Sequence, residues 1–269
     1  MRPAKTIAFL LVLAGCPPAD TGETDTDPVE TDTDTDTDTD TDTDVADCDN
    51  DDCARCSEAG FYGVTANLTV PSDIQSALRA EMTQLTTCTY SVTTTHMFLQ
   101  LDNVDTQVEC IYTGRFTTVI DSKPDHETDM NTEHTWPQSL GASEIPAKCD
   151  LHHLRPSDVD ANQQRASHPY GLVTGSVQWS EGGSRLGFNG GDLVFEPRAT
   201  VRGDIARGML YFSLQYDFPL SGDELELYQQ WHADDPVTDA EFDRTMSIKD
   251  YQRHANPFVA CPDLATRAW

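Results

Sequence analysis

Apolar residues recur along this chain with two different periods, which predict different elements. In residues 71–85 they lie three or four positions apart, as on one face of a helix, and Ser72 or Asp73 can cap its start. We predict a further helix over residues 197–216 and two more in the C-terminal tail, separated at Asp235-Pro236.

Strand signals lie between these helices. Residues 89–102 and 108–120 are dense in Thr, Val, Tyr and Ile and are broken near Asp102-Asn103, which is typical of paired strands. Residues 150–165 favour a strand followed by a helix, with Ser157 or Asp158 as its cap. We therefore expect an α+β domain in which helix content exceeds strand content.

The first 15 residues are typical of an export signal. Arg2 and Lys5 precede an apolar run over residues 7–13, which is far shorter than the ~20 residues of a membrane-spanning helix. The sequence Leu-Ala-Gly-Cys that ends at Cys16 resembles the bacterial lipobox, so Cys16 is the expected lipidation site. The alternative is an ordinary signal peptide with an incidental cysteine.

Residues 16–56 are predicted to be a disordered tether. Seven Thr-Asp pairs fill residues 31–44, and like charge at every second position keeps a chain extended. Acids at positions 47, 49 and 51 resemble the start of a calcium loop but lack its Gly turn and later Glu. Cysteines at 48, 53 and 56 have no evident fourth zinc ligand. The catalytic domain is therefore expected over residues 57–269.

Charge argues against an ordinary nucleic-acid-binding surface. The chain has 46 acidic and 17 basic residues, and 30 of the acids and 14 of the bases lie in residues 57–269. Surfaces that bind phosphate are usually basic. A bound divalent ion and a salty environment would offset this acidity.

Eight cysteines in an exported chain predict disulfides. We expect Cys88 to pair with Cys110, which flank the predicted hairpin, and Cys149 to pair with Cys261. The N-terminal cluster would then hold one pair and one free thiol. Spacing alone does not determine this connectivity.

Candidate chemistry is concentrated in two segments. Hydrolysis of a phosphodiester needs a base to activate water and a Lewis acid to neutralise charge, and a histidine with one divalent ion can supply both. The histidines and carboxylates that form a candidate metal cluster are His126, Glu133, His134, His152 and His153. Zinc and magnesium both stay open. Trp136 and Trp231 either stack on bases or lie in the core.

Three motifs occur in the order and spacing of a known family. They are NTEH at residues 131–134, DLHHL at 150–154 and VDANQQR at 159–165, with further matches in IYTGR (111–115), RGDIAR (202–207), WHADDPV (231–237) and NPFV (256–259). The chain resembles the bacterial endonuclease I family of secreted nucleases, which have a ββα-metal core. The residues before NPFV depart from the family pattern, since one basic residue is displaced or absent.

The resemblance implies a role for each residue of these motifs. It makes His134 the general base, Glu133 and Asn162 the ligands of one Mg²⁺, and fragments with 5′ phosphates the products. Ca²⁺, Mn²⁺ and Zn²⁺ stay open as the ion. The arginines expected to approach the phosphate are Arg207, Arg155 and Arg165, and the supporting residues are His152, His153 and Asp150.

Sequence analysis therefore predicts a sequence-independent endonuclease that acts on DNA, with RNA as a second candidate substrate. It is expected to be a monomer that is lipid-anchored to the outer membrane or cell surface and contacts the membrane through its N-terminal lipid only. Two alternatives stay open: an inactive binding or structural lipoprotein on the same fold, and a zinc-dependent hydrolase of another ester.

Overall fold

The computed structural model describes residues 51–82 and 87–269. The α-helices in these ranges are α1 (Asp51–Ala59), α2 (Tyr62–Thr65), α3 (Pro71–Glu81), α4 (Tyr90–His96), α5 (Val159–Arg165), α6 (Arg202–Tyr216), α7 (Gly222–Asp234), α8 (Asp239–Gln252), α9 (Pro257–Ala260) and α10 (Leu264–Arg267). Helix α4 continues as a π-helix over Met97–Leu101. None of the helices within these ranges has the length and apolar character needed to cross a bilayer.

Eight strands form three antiparallel sheets in the described part of the chain. The first sheet contains β1 (Asn103–Val104), β2 (Gln107–Glu109) and β3 (Phe116–Thr118), the second β4 (Met130–His134) and β5 (Leu154–Asp158), and the third β6 (Val177–Glu181), β7 (Ser184–Asn189) and β8 (Asp192–Glu196). The predicted α+β class, with more helix than strand, is confirmed.

Helix α6 lies at the centre of the core. Its residues from Ile205 to Gln215 are all buried, which is typical of a helix that is covered on every side. Helix α7 packs against it and begins with a capping box, in which Ser221 and Glu224 satisfy each other's backbone N–H groups. These two helices, and α8 after them, match the predicted C-terminal helices.

The prediction of paired strands is wrong for residues 89–102, which form α4 and the π-helix. Their β-branched residues tolerate the helix because threonine hydroxyls bond to the preceding turn: Thr94 and Thr95 both donate to the Ser91 carbonyl. Met97 and Phe98 are buried in the core. Tertiary packing here outweighs local β-propensity.

This difference also explains why the expected disulfides are wrong. Cys88 pairs with Cys149, and Cys56 pairs with Cys261. Without a hairpin from residue 89 onward, Cys88 is not brought to Cys110, which is a buried free thiol. The Sγ of Cys110 instead accepts hydrogen bonds from the backbone N–H groups of Thr113 and Asp158.

The N-terminal predictions mostly concern residues outside the described ranges. These are the signal segment 1–15, the Cys16 lipidation site, the Thr-Asp tract and Cys48. Helix α1 begins within the segment assigned to the tether, because the Cys56–Cys261 disulfide and an ion pair between Arg55 and Asp239 connect it to the C-terminal helices. Cys53 is also disulfide-bonded.

Candidate active site

Strands β4 and β5 and helix α5 bring the two motif segments together. Residue His134 at the end of β4 pairs with Leu154 at the start of β5, and α5 follows β5 without a loop. The Asn162 side chain on α5 then donates from Nδ2 to Asn131 Oδ1 at 2.7 Å and to the Thr132 carbonyl at 3.3 Å. The polar face of α5 therefore contacts β4, the strand that carries Glu133 and His134.

One cavity of ≈ 310 Å³ opens at this junction. Its lining includes Glu133, His134, Gln138 and Asn162. Glu133 and His134 share it although they are neighbours on a strand, where successive side chains normally point to opposite faces. They lie at the end of β4, and a different, 3₁₀ geometry begins at Gln138.

His134 is held in an orientation that suits a general base. Its Nε2 lies 3.1 Å from the Lys148 carbonyl, which can only accept, so Nε2 carries the proton and Nδ1 is the basic nitrogen. Nδ1 lies 3.4 Å from Nε2 of Gln138, which lines the cavity. Burial, with a smaller effect of nearby His153, lowers the pKa of His134 to about 3, so the ring is neutral at physiological pH.

Glu133 is a buried carboxylate with one oxygen engaged. The Tyr112 hydroxyl donates to Oε1 at 2.7 Å, and Nε of Arg165 lies 3.3 Å from the same oxygen without the alignment of a hydrogen bond. Burial raises the pKa of Glu133 to about 7 and outweighs the opposing effects of Arg165 and Tyr112. The described protein groups therefore do not fully stabilise the negative charge of ionised Glu133, and a bound cation would supply the missing positive charge.

Glu133 and Asn162 fit a hard divalent cation. Because Nδ2 of Asn162 is committed to Asn131 and Thr132, its Oδ1 is the atom left for a ligand. Oε2 of Glu133 is likewise the carboxylate oxygen outside the contacts with Tyr112 and Arg165. Both residues line the same cavity, and paired carboxylate and amide oxygens are ligands that Mg²⁺ and Ca²⁺ accept.

The wider histidine cluster predicted from the sequence does not form one metal site. Within the described residues, no group of three or more His, Cys, Asp or Glu side chains is arranged to hold a metal ion. His126 is 79% exposed beside Glu127. The Nε2 atoms of His152 and His153 contact the His254 and Ala147 carbonyls.

His152, His153 and Asp150 are buried and lie outside the cavity lining. The His153 ring packs edge-on to His134, with 5.5 Å between centroids. Asp150 accepts hydrogen bonds from donors on three elements: the His152 N–H, the Tyr211 and Tyr216 hydroxyls and the Gln252 amide. Burial alone would raise the pKa of Asp150, but the nearby histidines and Gln252 keep it below its usual value.

The three arginines expected at the phosphate have other partners. Arg207 is 1% exposed and makes a two-pronged ion pair with Glu241, at 2.6 and 2.7 Å. Arg165 is equally buried and donates to the Thr135 and Ala166 carbonyls. Arg155 lines a different cavity with Asp204 and Arg244. The guanidinium of Arg207 is therefore paired inside the fold, and its expected contact with the phosphate stays a prediction.

Trp136 and Trp231 are core residues. Trp136 stacks on Phe212 at 4.8 Å and donates from its indole to the Leu140 carbonyl. Trp231 is 2% exposed and packs against Tyr170 and Tyr228. Neither presents an open ring to a base.

Sequence analysis did not assign a role to Tyr112, Tyr90 or Lys148. Tyr112 holds Glu133, Tyr90 stacks on His134 with 5.7 Å between ring centroids, and the Lys148 carbonyl orients His134. Tyr112 lies in the IYTGR match, which was a usable signal. Tyr90 lies two residues after Cys88, and Lys148 lies directly before Cys149. The two residues are far apart in the sequence, and the Cys88–Cys149 disulfide brings their segments together.

Two antiparallel strands and a helix, with a histidine and a carboxylate on the first strand and an amide on the helix, form a ββα arrangement around one cavity. The sequence model of the endonuclease I family matches residues 69–263, so the chain belongs to the endonuclease I family. The expected family is thereby confirmed.

Similarity to characterised proteins points the same way. The extracellular ribonuclease of Bacillus subtilis is 31% identical over 166 residues, which cover 52% of this chain and 54% of that protein. An extracellular deoxyribonuclease of Aeromonas hydrophila is 32% identical over 111 residues, covering 41% and 48%. Endonuclease-1 of Buchnera aphidicola is 32% identical over 111 residues, covering 41% and 44%. The chain spans about half the length of these relatives.

Proposed function

We propose that this protein is a metal-dependent endonuclease that hydrolyses phosphodiester bonds of nucleic acid and leaves 5′ phosphates. The observation that carries the proposal is the convergence of His134, Glu133 and Asn162 on one cavity, with His134 oriented by a backbone carbonyl. The names of the relatives, which include both ribonuclease and deoxyribonuclease, support DNA and RNA as substrates.

His134 acts in this proposal as the general base. A neutral imidazole with its proton on Nε2 can take a proton from water at Nδ1, while the Lys148 carbonyl stabilises the imidazolium that results. Gln138, beside Nδ1, is placed to orient the attacking water. General-base catalysis of this kind contributes about 10²–10⁴-fold in rate.

Glu133 and Asn162 would hold the divalent cation, and Mg²⁺ is the ion we propose. When bound, the cation supplies Lewis-acid stabilisation of the charge that develops on the phosphate and the leaving 3′ oxygen. Tyr112 and Arg165 fix the Glu133 carboxylate, and Asn131 fixes the Asn162 amide. Such supporting bonds tune a metal site nearly as much as its ligands do.

The protein is also proposed to work outside the cytoplasm. Relatives are named extracellular or periplasmic, which supports export. Lipid attachment at Cys16, a Thr-Asp tether, a catalytic domain over residues 57–269 and a monomeric state complete the proposal. All of these rest on the sequence. Metabolic labelling with a lipid precursor, compared between wild type and Cys16→Ala, tests the anchor.

Plasmid nicking by the purified chain tests the proposed activity. We expect nicking with Mg²⁺, none with EDTA, and a loss of about 10²–10⁴-fold in His134→Ala. His168→Ala is the matched control, since His168 is half-buried and lies outside the cavity lining. If wild type leaves plasmid and RNA intact across pH and salt, the inactive lipoprotein alternative is correct. If zinc and not magnesium restores nicking after EDTA, the protein is a nuclease with zinc as its ion; zinc-dependent turnover of another ester without nicking would support the zinc-dependent hydrolase.

A further inference from the structure

A second cavity, of ≈ 390 Å³, lies beside the catalytic one and has no role in the mechanism above. Tyr90, Phe98, Pro124 and Met130 supply aromatic and apolar lining, and Thr94 and Asn131 supply polar groups. A volume of this size falls within the roughly 300–1,000 Å³ of sites that enclose small ligands, and such sites combine apolar walls with a few polar groups.

The two cavities are neighbours. Thr132 lines both, and Tyr90, which lines the second, stacks on the His134 ring that lines the first. Asn131 also connects them, because it lines the second cavity while its Oδ1 accepts a hydrogen bond from Asn162. A ligand in the second cavity would therefore lie beside the cavity that contains His134 and Glu133.

Cations near this cavity suit a phosphate chain. Lys123 is exposed at the cavity and contacts Thr94 at 3.1 Å, and the Lys148 ammonium lies 5.3 Å above the Tyr90 ring. A ligand that has a flat, weakly polar body and an attached anionic backbone matches this combination. A nucleobase in a polynucleotide is such a ligand.

We propose that the cavity beside Tyr90 receives the unstacked base of a nucleotide adjacent to the scissile phosphate, so that the protein prefers single-stranded nucleic acid to duplex. This inference rests on the proposed nuclease function and names its substrate class. Bases in a duplex are stacked and paired, and a duplex must open before a base can enter a cavity. A single strand has no such requirement.

Three substrates test the proposal with the full chain and Mg²⁺. They are a single-stranded oligonucleotide, the duplex of the same sequence, and bis(p-nitrophenyl) phosphate, a phosphodiester without a base. For wild type we expect kcat/KM on the single strand to exceed that on the duplex by about tenfold, the effect of one stacked base.

Pro124→Trp is designed to fill the cavity, since Pro124 is a half-buried loop residue in its lining. We expect it to lower kcat/KM on the single strand by about tenfold, to the level of the duplex, and to leave turnover of bis(p-nitrophenyl) phosphate unchanged. Ser122→Trp is the matched control, because Ser122 is exposed in the same loop and outside the lining. Unchanged turnover of the small diester also shows that the variant is folded.

Lys123→Ala is a second, smaller change. It should raise KM for the single strand without altering turnover of bis(p-nitrophenyl) phosphate. If wild type cleaves both polynucleotides equally and Pro124→Trp affects them equally, the base site is wrong and the nuclease function stands. If wild type cleaves none of the three substrates, the nuclease function itself is wrong and the base site falls with it.

Discussion

Tyr112 connects the candidate metal ligand to the protein interior. Its hydroxyl donates to Glu133 Oε1, and the Tyr170 hydroxyl lies 2.7 Å from it on the other side. Because the single Tyr112 proton goes to Glu133, the Tyr170 hydroxyl is the donor between the two tyrosines. Arg165 lies over the Tyr170 ring at 4.5 Å and so belongs to the same buried network. This chain of contacts fixes which Glu133 oxygen faces the cavity.

Tyr112→Phe should therefore weaken metal binding although both proposed ligands, Glu133 and Asn162, are unchanged. The variant loses the hydroxyl that lowers the Glu133 pKa, so that pKa rises further above about 7 and protons compete better with the cation. We expect the Mg²⁺ concentration for half-maximal cleavage to rise by about 10–100-fold. Mg²⁺ titrations of the cleavage rate at pH 7 measure it.

Tyr228→Phe is the control for this change, since Tyr228 is equally buried and lies on α7. It should leave the Mg²⁺ requirement unchanged. An unaltered requirement in Tyr112→Phe would show that the hydroxyl does not position Glu133.

At the scale of single residues, contiguous motifs were predictable and distant partners were not. His134, Glu133 and Asn162 stand in short motifs, so the resemblance alone indicated them, and the structure brings them to one cavity. Arg207 also stands in a motif, but its partner Glu241 lies 34 residues away on α8. Nothing in local sequence distinguishes an arginine neutralised by a remote glutamate from one that is free for phosphate.

At the scale of elements, the disulfide between Cys88 and Cys149 joins two segments that both contact His134. Tyr90 lies two residues after Cys88 and stacks on the His134 ring. Lys148 lies immediately before Cys149, and its backbone carbonyl accepts a hydrogen bond from His134 Nε2. The Cys56–Cys261 disulfide instead joins α1 to the end of α9, outside the cavity lining.

The double variants Cys88→Ala/Cys149→Ala and Cys56→Ala/Cys261→Ala should therefore differ in activity more than in stability. Each removes one crosslink, which typically costs about 2–5 kcal/mol of unfolding free energy. Only the first loosens the contacts of His134, and misplacement of a catalytic group by about 1 Å can lower the rate by about 10²-fold.

Both variants are compared at a temperature where thermal melts show each to be folded. We expect kcat/KM to fall by about 10–100-fold in Cys88→Ala/Cys149→Ala, and by less than about threefold in the other pair. Equal losses in the two would mean that the first disulfide contributes stability alone.

The helices in which apolar residues recur at helical spacing were predictable from the sequence, whereas α4 was not. Its residues Tyr90–His96 are rich in Thr and Val, which favour strands. The helix forms because it packs Thr93 and Thr94 against the interior and places Tyr90 beside β4. Because residues 90–96 form a helix and not a strand, Cys88 pairs with Cys149 and Tyr90 lies beside His134. Neither contact could be predicted from the local β-propensity.

At the scale of the whole molecule, the proposed function requires an acidic protein to bind a polyanion. Residues 57–269 have 30 acidic and 14 basic side chains. In the part of the chain that the structure describes, no Lys or Arg lines the cavity of Glu133 and His134. Lys123 lines the neighbouring cavity, and Lys148 lies over its Tyr90 ring. Few phosphates can be neutralised by these side chains, so the cation proposed at Glu133 and Asn162 would supply much of the attraction.

Salt should therefore inhibit this protein only weakly. Each phosphate neutralised by Lys or Arg steepens the dependence of log affinity on log salt by about −0.9 for B-DNA and about −0.7 for a single strand, and six to ten such contacts on B-DNA lose about 10³–10⁵-fold between 50 and 200 mM. One or two contacts give a loss of less than about 20-fold over that range, and screening of the repulsion between protein and substrate offsets part of it.

We expect kcat/KM on a single-stranded oligonucleotide, at fixed Mg²⁺, to change by less than about tenfold. Lys148→Gln should flatten the slope by about 0.7, the value of one contact on a single strand. Lys249→Gln should not, since the Lys249 ammonium contacts the Glu58 carbonyl. A loss near thousandfold in wild type would instead require an extended basic surface, and the metal could no longer be the main source of attraction for the substrate.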